Sequence, residues 1–252
     1  MMLDWKLFSK KTKPDPENWN VRTMFGPNLS FAATEAYKLL RTNIKFAFAE
    51  ESGCHVIGIT SSVQSEGKSS TACNLAYSLA EAGNKVLLLE GDLRRPTLAT
   101  KLGLAKTPGI TNWLIFREDY HDAIQQCEYA PNMDIITSGD IPPNPAELLS
   151  SERMEVMVND LKEKYEYIIF DLPPITAVAD ALAISKLLDG VVMTVKAGAT
   201  DQWMLEEAMR QIKQVNLRVL GFVYRESGAG NARYSARYGK YSKYSYYYNS
   251  ER

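Results

Sequence analysis

The run Ser61–Ser70 reads SSVQSEGKSS, preceded by the apolar HVIGIT (His55–Thr60) and followed by TACNLAYSLAEAG (Thr71–Gly83). A strand, a loop of small residues closed by Gly67-Lys68-Ser69, and then a helix is an arrangement that cradles phosphate. Backbone N–H groups wrap the phosphate oxygens, the lysine reaches the β/γ side, and the hydroxyl takes a magnesium position. The segment therefore points to binding of a nucleoside triphosphate, with Ser62, Ser65, Glu66, Gly67, Lys68, Ser69 and Ser70 as the nucleotide-binding residues. In the pattern G-x-x-x-x-G-K-[ST] the first glycine falls on Ser62, a residue that is strained if the position requires positive φ.

Bulk properties exclude several classes. A chain of 252 residues with 45% hydrophobic and 23% charged residues has the composition of a globular protein with a sizeable core. Its net charge of −1 gives no bias toward nucleic acid. Cys54, Cys73 and Cys127 are spaced for neither a disulfide framework nor a metal site, and read as small buried hydrophobes in a reducing compartment. His55 and His121 are isolated. No run approaches the roughly 18 apolar residues of a membrane span, and MMLDWKLFSKKTKPDPENW lacks the apolar centre of a signal peptide. A cytoplasmic protein is expected, reaching a membrane only through a partner.

Residues 1 to 30, broken by Pro14, Pro16 and Pro27, read as an irregular arm. Residues 34 to 49 place Ala36, Leu39, Leu40, Ile44 and Phe48 at helical spacing, with Thr34 as N-cap. Strands are expected at His55–Thr60, Val86–Glu90, Met133–Thr137, Tyr167–Asp171, Val191–Lys196 and Val219–Tyr224. Most lack polar alternation, as strands buried on both faces do. Helices are expected between them, at 71–82, 146–164, 180–188 and 201–214. The alternation predicts a doubly wound α/β fold with a mainly parallel sheet, spanning 31–224, and ligands at the carboxyl ends of the strands. From 225 to 252 the chain has no periodic apolar face, and half of its fourteen tyrosines fall within fifteen residues: Tyr234, Tyr238, Tyr241, Tyr244, Tyr246, Tyr247 and Tyr248.

Phosphate chemistry needs carboxylates around the metal and the nucleophile. LLLEGDLRRP presents Glu90 and Asp92 beyond a strand end, on one side of an extended segment, with Arg94 and Arg95 following to offset charge near the γ-phosphate. YIIFDLPP ends in Asp171, the place of an acid that steadies Mg²⁺, and Pro173-Pro174 stop the strand.

These motifs together resemble the bacterial tyrosine kinases, whose P-loop fold is unrelated to eukaryotic kinases. LLLEGDLRRP is similar to their Walker A′ segment, FDLPP to their Walker B, and PPNPAELL (Pro142–Leu149) and the terminal tyrosine cluster also match. The likeness covers nearly the whole chain and is to the cytoplasmic capsular or exopolysaccharide autokinases of CpsD/CapB-like type. Two positions depart from that pattern: Glu90 stands where the family has its first Walker A′ aspartate, and the helical E-x-x-R-x-x-R motif of self-association is here Glu35, Lys38 and Arg41.

The resemblance implies ATP and Mg²⁺ as cofactors, with Lys68 on the β/γ-phosphates and Ser69, Asp171 and Glu90 in the metal shell. Asp92 would take the proton of an incoming tyrosine, and Lys68, Asp92, Glu90 and Asp171 form the implied catalytic set. It further implies a membrane-embedded activator, a polysaccharide co-polymerase, that holds the chain at the inner face of the plasma membrane. A cognate tyrosine phosphatase and a ring of identical subunits, each tail lying in its neighbour's site, complete the implied partners; nucleic acid is not among them. The tail carries +4, and seven phosphates would bring it to about −6 to −10, enough to loosen such a ring. Two other readings share the P-loop: an ATPase switch of the ParA/MinD kind, and a non-catalytic ATP-binding regulator. The switch proteins carry a signature lysine five residues before the Gly-Lys lysine, where this chain has Val63.

Overall fold

The structure is a computed structural model, and it describes residues 25–116 and 119–225. The tyrosine cluster and most of the expected N-terminal arm lie outside them.

Seven strands form one sheet: β1 (His55–Ser61), β2 (Val86–Glu90), β3 (Gln125–Gln126), β4 (Met133–Ile136), β5 (Tyr167–Asp171), β6 (Gly190–Lys196) and β7 (Val219–Arg225). Their order is β3-β4-β2-β5-β1-β6-β7. All neighbouring pairs are parallel except β3 against β4. The six expected strands are present within a residue of their expected ends; β3 is a two-residue edge too short for a sequence pattern.

Why the strands read as unbroken apolar runs is visible along β2. Leu87 and Leu89 join the core on one face of the sheet, while Val86 and Leu88 join the core on the other. Both faces are covered by helices, so both parities must be apolar. On the Leu88 face lies α2 (Lys68–Glu81), with Ala72, Leu75, Ala76 and Leu79 buried beside Ile57, Ile59 and Ile169. Outside α2 packs α1 (Phe31–Ala47). Four further helices precede β6: α3 (Leu98–Leu102), α4 (Ile110–Phe116), α5 (Pro145–Leu149) and α6 (Glu152–Lys162). The short α7 (Asp180–Ala183) also precedes it, and α8 (Gln202–Gln214) joins β6 to β7.

Several helices differ from expectation for local reasons. Helix α1 begins a turn early because Ser30, not Thr34, caps it, accepting from the Ala33 N–H at 3.3 Å. Thr34 instead donates its hydroxyl to the Ser30 carbonyl. The helix expected over 146–164 is two helices, since Ser151 accepts from the Met154 N–H and starts a new one. The stretch 180–188 divides into α7 and a 3₁₀ turn at Ser185–Leu187. Helices α3 and α4 were not anticipated: each is too short to develop a periodic face.

Leu88 is fully buried in the central sheet. Leu88→Ala is expected to cost about 2–5 kcal/mol, read as a lower urea midpoint with an unchanged slope.

Candidate active site

The loop after β1 closes tightly at Gly67, whose φ of 91° and ψ of 22° are left-handed. A side chain there would be strained by its backbone and would collide with the guanidinium of Arg225. Ser62, expected to bear strain in place of the first glycine, does not: the loop's positive-φ residue other than glycine is Ser65, at 64°. Position 62 thus tolerates a serine, while the exposed Ser65 takes up the turn.

Glu66 is buried and works as an internal brace. One carboxylate oxygen accepts the Val63 N–H at 3.1 Å, and the other meets the Thr200 hydroxyl between β6 and α8. Thr176, beyond the Walker B strand, donates to the Ser62 carbonyl at 2.6 Å. The loop is fixed on both flanks, so its N–H groups hold their direction before any anion arrives.

Lys68 opens α2 and its ammonium sits between two acids. It lies 2.8 Å from Asp92 Oδ2 and 3.7 Å from Asp171 Oδ1, with only 13% of its side chain exposed. Burial pulls its pKa down, but the charges of Asp171 and Asp92 outweigh that and hold it above the usual lysine value. The remaining oxygen of Asp92 accepts the Arg95 N–H at 3.1 Å. Asp171 ends β5 directly beside Glu90 of β2. It is buried, and neither of its oxygens completes a hydrogen bond among the described residues. Desolvation pushes its pKa up, opposed by Lys68, the Ser69 hydroxyl and Lys101.

Other expected residues are placed differently. Glu90, expected in a metal shell, spends its carboxylate on the backbone: Oε1 accepts the N–H groups of Thr97 and, at 2.6 Å, Leu98, and Oε2 accepts that of Ser138 at 3.0 Å. It fastens the start of α3 and the loop after β4 to the strand end. Burial raises its pKa and those three N–H groups oppose the rise. Arg94 turns away from the site into a two-pronged pair with the buried Asp180, at 2.7 and 3.1 Å. Arg95 stays, donating to Gln64 of the phosphate loop at 2.9 Å. Within the self-association triplet, Glu35 and Lys38 pair with each other on the surface at 2.9 Å. Arg41 points inward, onto the Ser78 carbonyl of α2.

Sequence reasoning missed Thr200 and Asp180, whose roles are set by contacts more than 80 positions away. It also missed Lys101, a half-buried ammonium lowered by desolvation and acted on by the charges of Asp171, Lys68 and Glu90. The site's oxygen donors suit a hard cation with phosphate. Ser69 and Asp171 adjoin, and both Asp171 oxygens and the buried Ser62 and Ser70 hydroxyls lack a hydrogen-bond partner among the described residues, which fits such a group.

A left-handed glycine turn opening a helix, a largely buried lysine and strand-end carboxylates define a P-loop phosphate-binding protein of the doubly wound class. Residues 54–220 match the AAA domain family. The chain is 38% identical to the tyrosine-protein kinase YwqD of Bacillus subtilis over 85% of its own length and 86% of that protein. It superimposes on the kinase domain of the Escherichia coli tyrosine kinase ETK with a TM-score of 0.77, at 26% identity, covering 84% of this chain and 82% of that one. The septum site-determining protein MinD from Pyrococcus horikoshii, complexed with Mg-ADP, shares the fold alone. Its TM-score is 0.60 at 22% identity, covering 71% of this chain and 72% of that one. The chain belongs to the bacterial tyrosine-protein kinases, within the AAA domain family, and its activity is that of a protein-tyrosine kinase.

Asp171 offers a test with a defined sign. Its folded-state pKa is raised, so the fold favours its neutral form, and stability is lost as pH rises from the unfolded pKa toward the folded one. At neutral pH the cost persists, and asparagine mimics the neutral form. Asp171→Asn is expected to stabilise the ligand-free protein by about 1 kcal/mol, read by denaturant titration. The same variant should lose the Mg²⁺ dependence of nucleotide affinity.

Proposed function

We propose that the chain binds Mg-ATP at the loop Ser62–Ser70 and transfers the γ-phosphoryl group to tyrosines of its own C-terminal cluster. The observation that carries this reading is Lys68 held between Asp92 and Asp171 at the mouth of the phosphate loop. Lys68 is placed to exchange Asp92 for phosphate oxygens, which frees the Asp92 carboxylate. Asp92 then accepts the proton of a tyrosine hydroxyl, whose ordinary pKa near ~10 makes such an acceptor useful at neutral pH. The phenolic oxygen bonds to the γ-phosphorus, the bond to the bridging oxygen breaks, and ADP leaves. Ser69 and Asp171 would hold Mg²⁺, which when bound neutralises charge on the phosphate oxygens. Glu90 supports the site through the backbone contacts of α3.

The phosphoacceptors are Tyr234, Tyr238, Tyr241, Tyr244, Tyr246, Tyr247 and Tyr248. Tyr234 follows Arg225 by nine residues, a span of at most about 30 Å, so a tail can reach its own site or a neighbour's. Self-association through α1, around Glu35 and Lys38, favours the neighbour, and phosphorylation then separates subunits by charge. No helix among the described residues is long and apolar enough to cross a membrane. The proposed place of action is the cytoplasmic face of the plasma membrane, through an activator in the membrane. There the kinase would control capsular or exopolysaccharide synthesis, and a tyrosine phosphatase would reset the tail.

The switch-ATPase reading has less support, since Val63 occupies the position of its signature lysine. Incubation with Mg-ATP and an activator fragment, followed by phosphotyrosine detection, separates the two. Tail labelling is expected to fall at least a hundredfold in Lys68→Met and in Asp92→Asn. Phosphate release from wild type with unlabelled tyrosines would favour the switch. Labelling between subunits predicts an initial rate per molecule that drops on dilution; a constant rate would mean each chain labels itself.

A further inference from the structure

The site's charged groups divide by side. In the order β2-β5-β1-β6-β7 the phosphate loop rises from β1. Lys68 leans toward β2 and β5, where Asp92 and Asp171 stand. The terminal phosphate belongs on that flank. On the opposite flank is Arg225, the last residue of β7. Its backbone is fixed there by pairing with Lys196 and by the Ala197 N–H, which donates to the Arg225 carbonyl at 2.8 Å. Its side chain lies over the loop: an added Cβ on Gly67 would come 3.0 Å from the Arg225 Cδ and overlap the guanidinium. Beside it stands Tyr37 of α1, whose hydroxyl is set against Thr71 and Asn74 in the first turns of α2. Among the described residues no carboxylate forms an ion pair with Arg225.

We infer that Arg225 is a nucleotide-retaining residue that binds the α-phosphate, at the nucleoside end of the site. This rests on the nucleotide-binding reading above. The guanidinium is always charged and offers a planar fork of donors suited to phosphate oxygens. Its approach to the loop backbone at Gly67 places it beside the converging N–H groups, on the flank that Lys68 leaves unserved. Because the α-phosphate is common to ATP and ADP, Arg225 holds substrate and product alike. It also makes the residue from which the tail departs a part of the nucleotide site.

Isothermal titration of the full chain with Mg-ADP and with a non-hydrolysable Mg-ATP analogue tests this. Arg225→Ala is expected to weaken both about tenfold, with the ligand-free melting temperature unchanged. Arg225→Lys, which keeps the charge and loses the fork, should fall between Ala and wild type, and it serves if the alanine variant is unstable. Unchanged affinity for both nucleotides in either folded variant would overturn the assignment. So would a loss confined to the ATP analogue, which would move Arg225 to the γ-phosphate. Failure of wild type itself to bind either nucleotide would instead remove the nucleotide-binding reading, and this inference with it.

Discussion

A lysine ammonium largely withdrawn from water has to be neutralised where it sits, and that requirement shapes the edge of the sheet. Lys68 has two carboxylates within ion-pair reach, one after β2 and one ending β5. Removing Asp92, which makes the direct contact, would leave a largely buried ammonium poorly compensated, an arrangement that costs several kcal/mol. Both acids reach Lys68 only because β2, β5 and β1 are successive neighbours, all parallel, with their carboxyl ends on one side. The chain leaves β1 toward β2 on one side and, after β5, crosses past β1 to β6 and β7 on the other, and this reversal creates the crevice in which the loop stands. The charge cluster and the strand order are two descriptions of one constraint.

The same contact has a chemical consequence. Lys68 donates to the Asp92 oxygen that the proposed reaction would need as a proton acceptor. In the proposed reaction, entry of an anionic substrate would compete for the ammonium, and the acid would become available in the act of binding. Asp92 keeps its second tie, to the Arg95 N–H, so its carboxylate does not swing free when Lys68 leaves. In the proposed reaction the base would therefore be held in place by a backbone donor and switched by a side-chain cation.

The parts legible in the sequence are those written in local pattern. Buried strands announce themselves as apolar runs bounded by turns, and Gly67-Lys68-Ser69 between a strand and a helix carries its own mechanism. Asp92 and Asp171 follow because strand ends face the loop in any parallel sheet. What escaped depends on distance in the chain. Nothing local to Thr200 indicates that it braces Glu66, and nothing near Asp180 reveals that Arg94 is drawn away from the phosphates. Ser62 was read through a glycine template, but the strained torsion had moved to Ser65. Arg41 matched a surface motif by spacing, while its length let it turn inward to Ser78.

Saturation separates the acids that build this site from those that act in it. Glu66, Glu90, Asp92, Asp171 and Asp180 are all buried, and burial alone would rank them equally as functional candidates. Glu66 is satisfied by an N–H and a hydroxyl, Glu90 by three N–H groups, and Asp180 by a guanidinium fork. Each is a carboxylate with both oxygens already engaged, so a ligand that displaced these partners would cost the site a brace. Asp92 and Asp171 differ in sharing one movable ammonium, with Asp171 otherwise unpartnered. Glu90 illustrates the sorting best: one methylene longer than an aspartate, it reaches the backbone of α3 and the loop after β4. With its carboxylate given to three backbone N–H groups, Glu90 has a structural role, and the proposed cation site would draw its oxygen donors from Asp171 and Ser69.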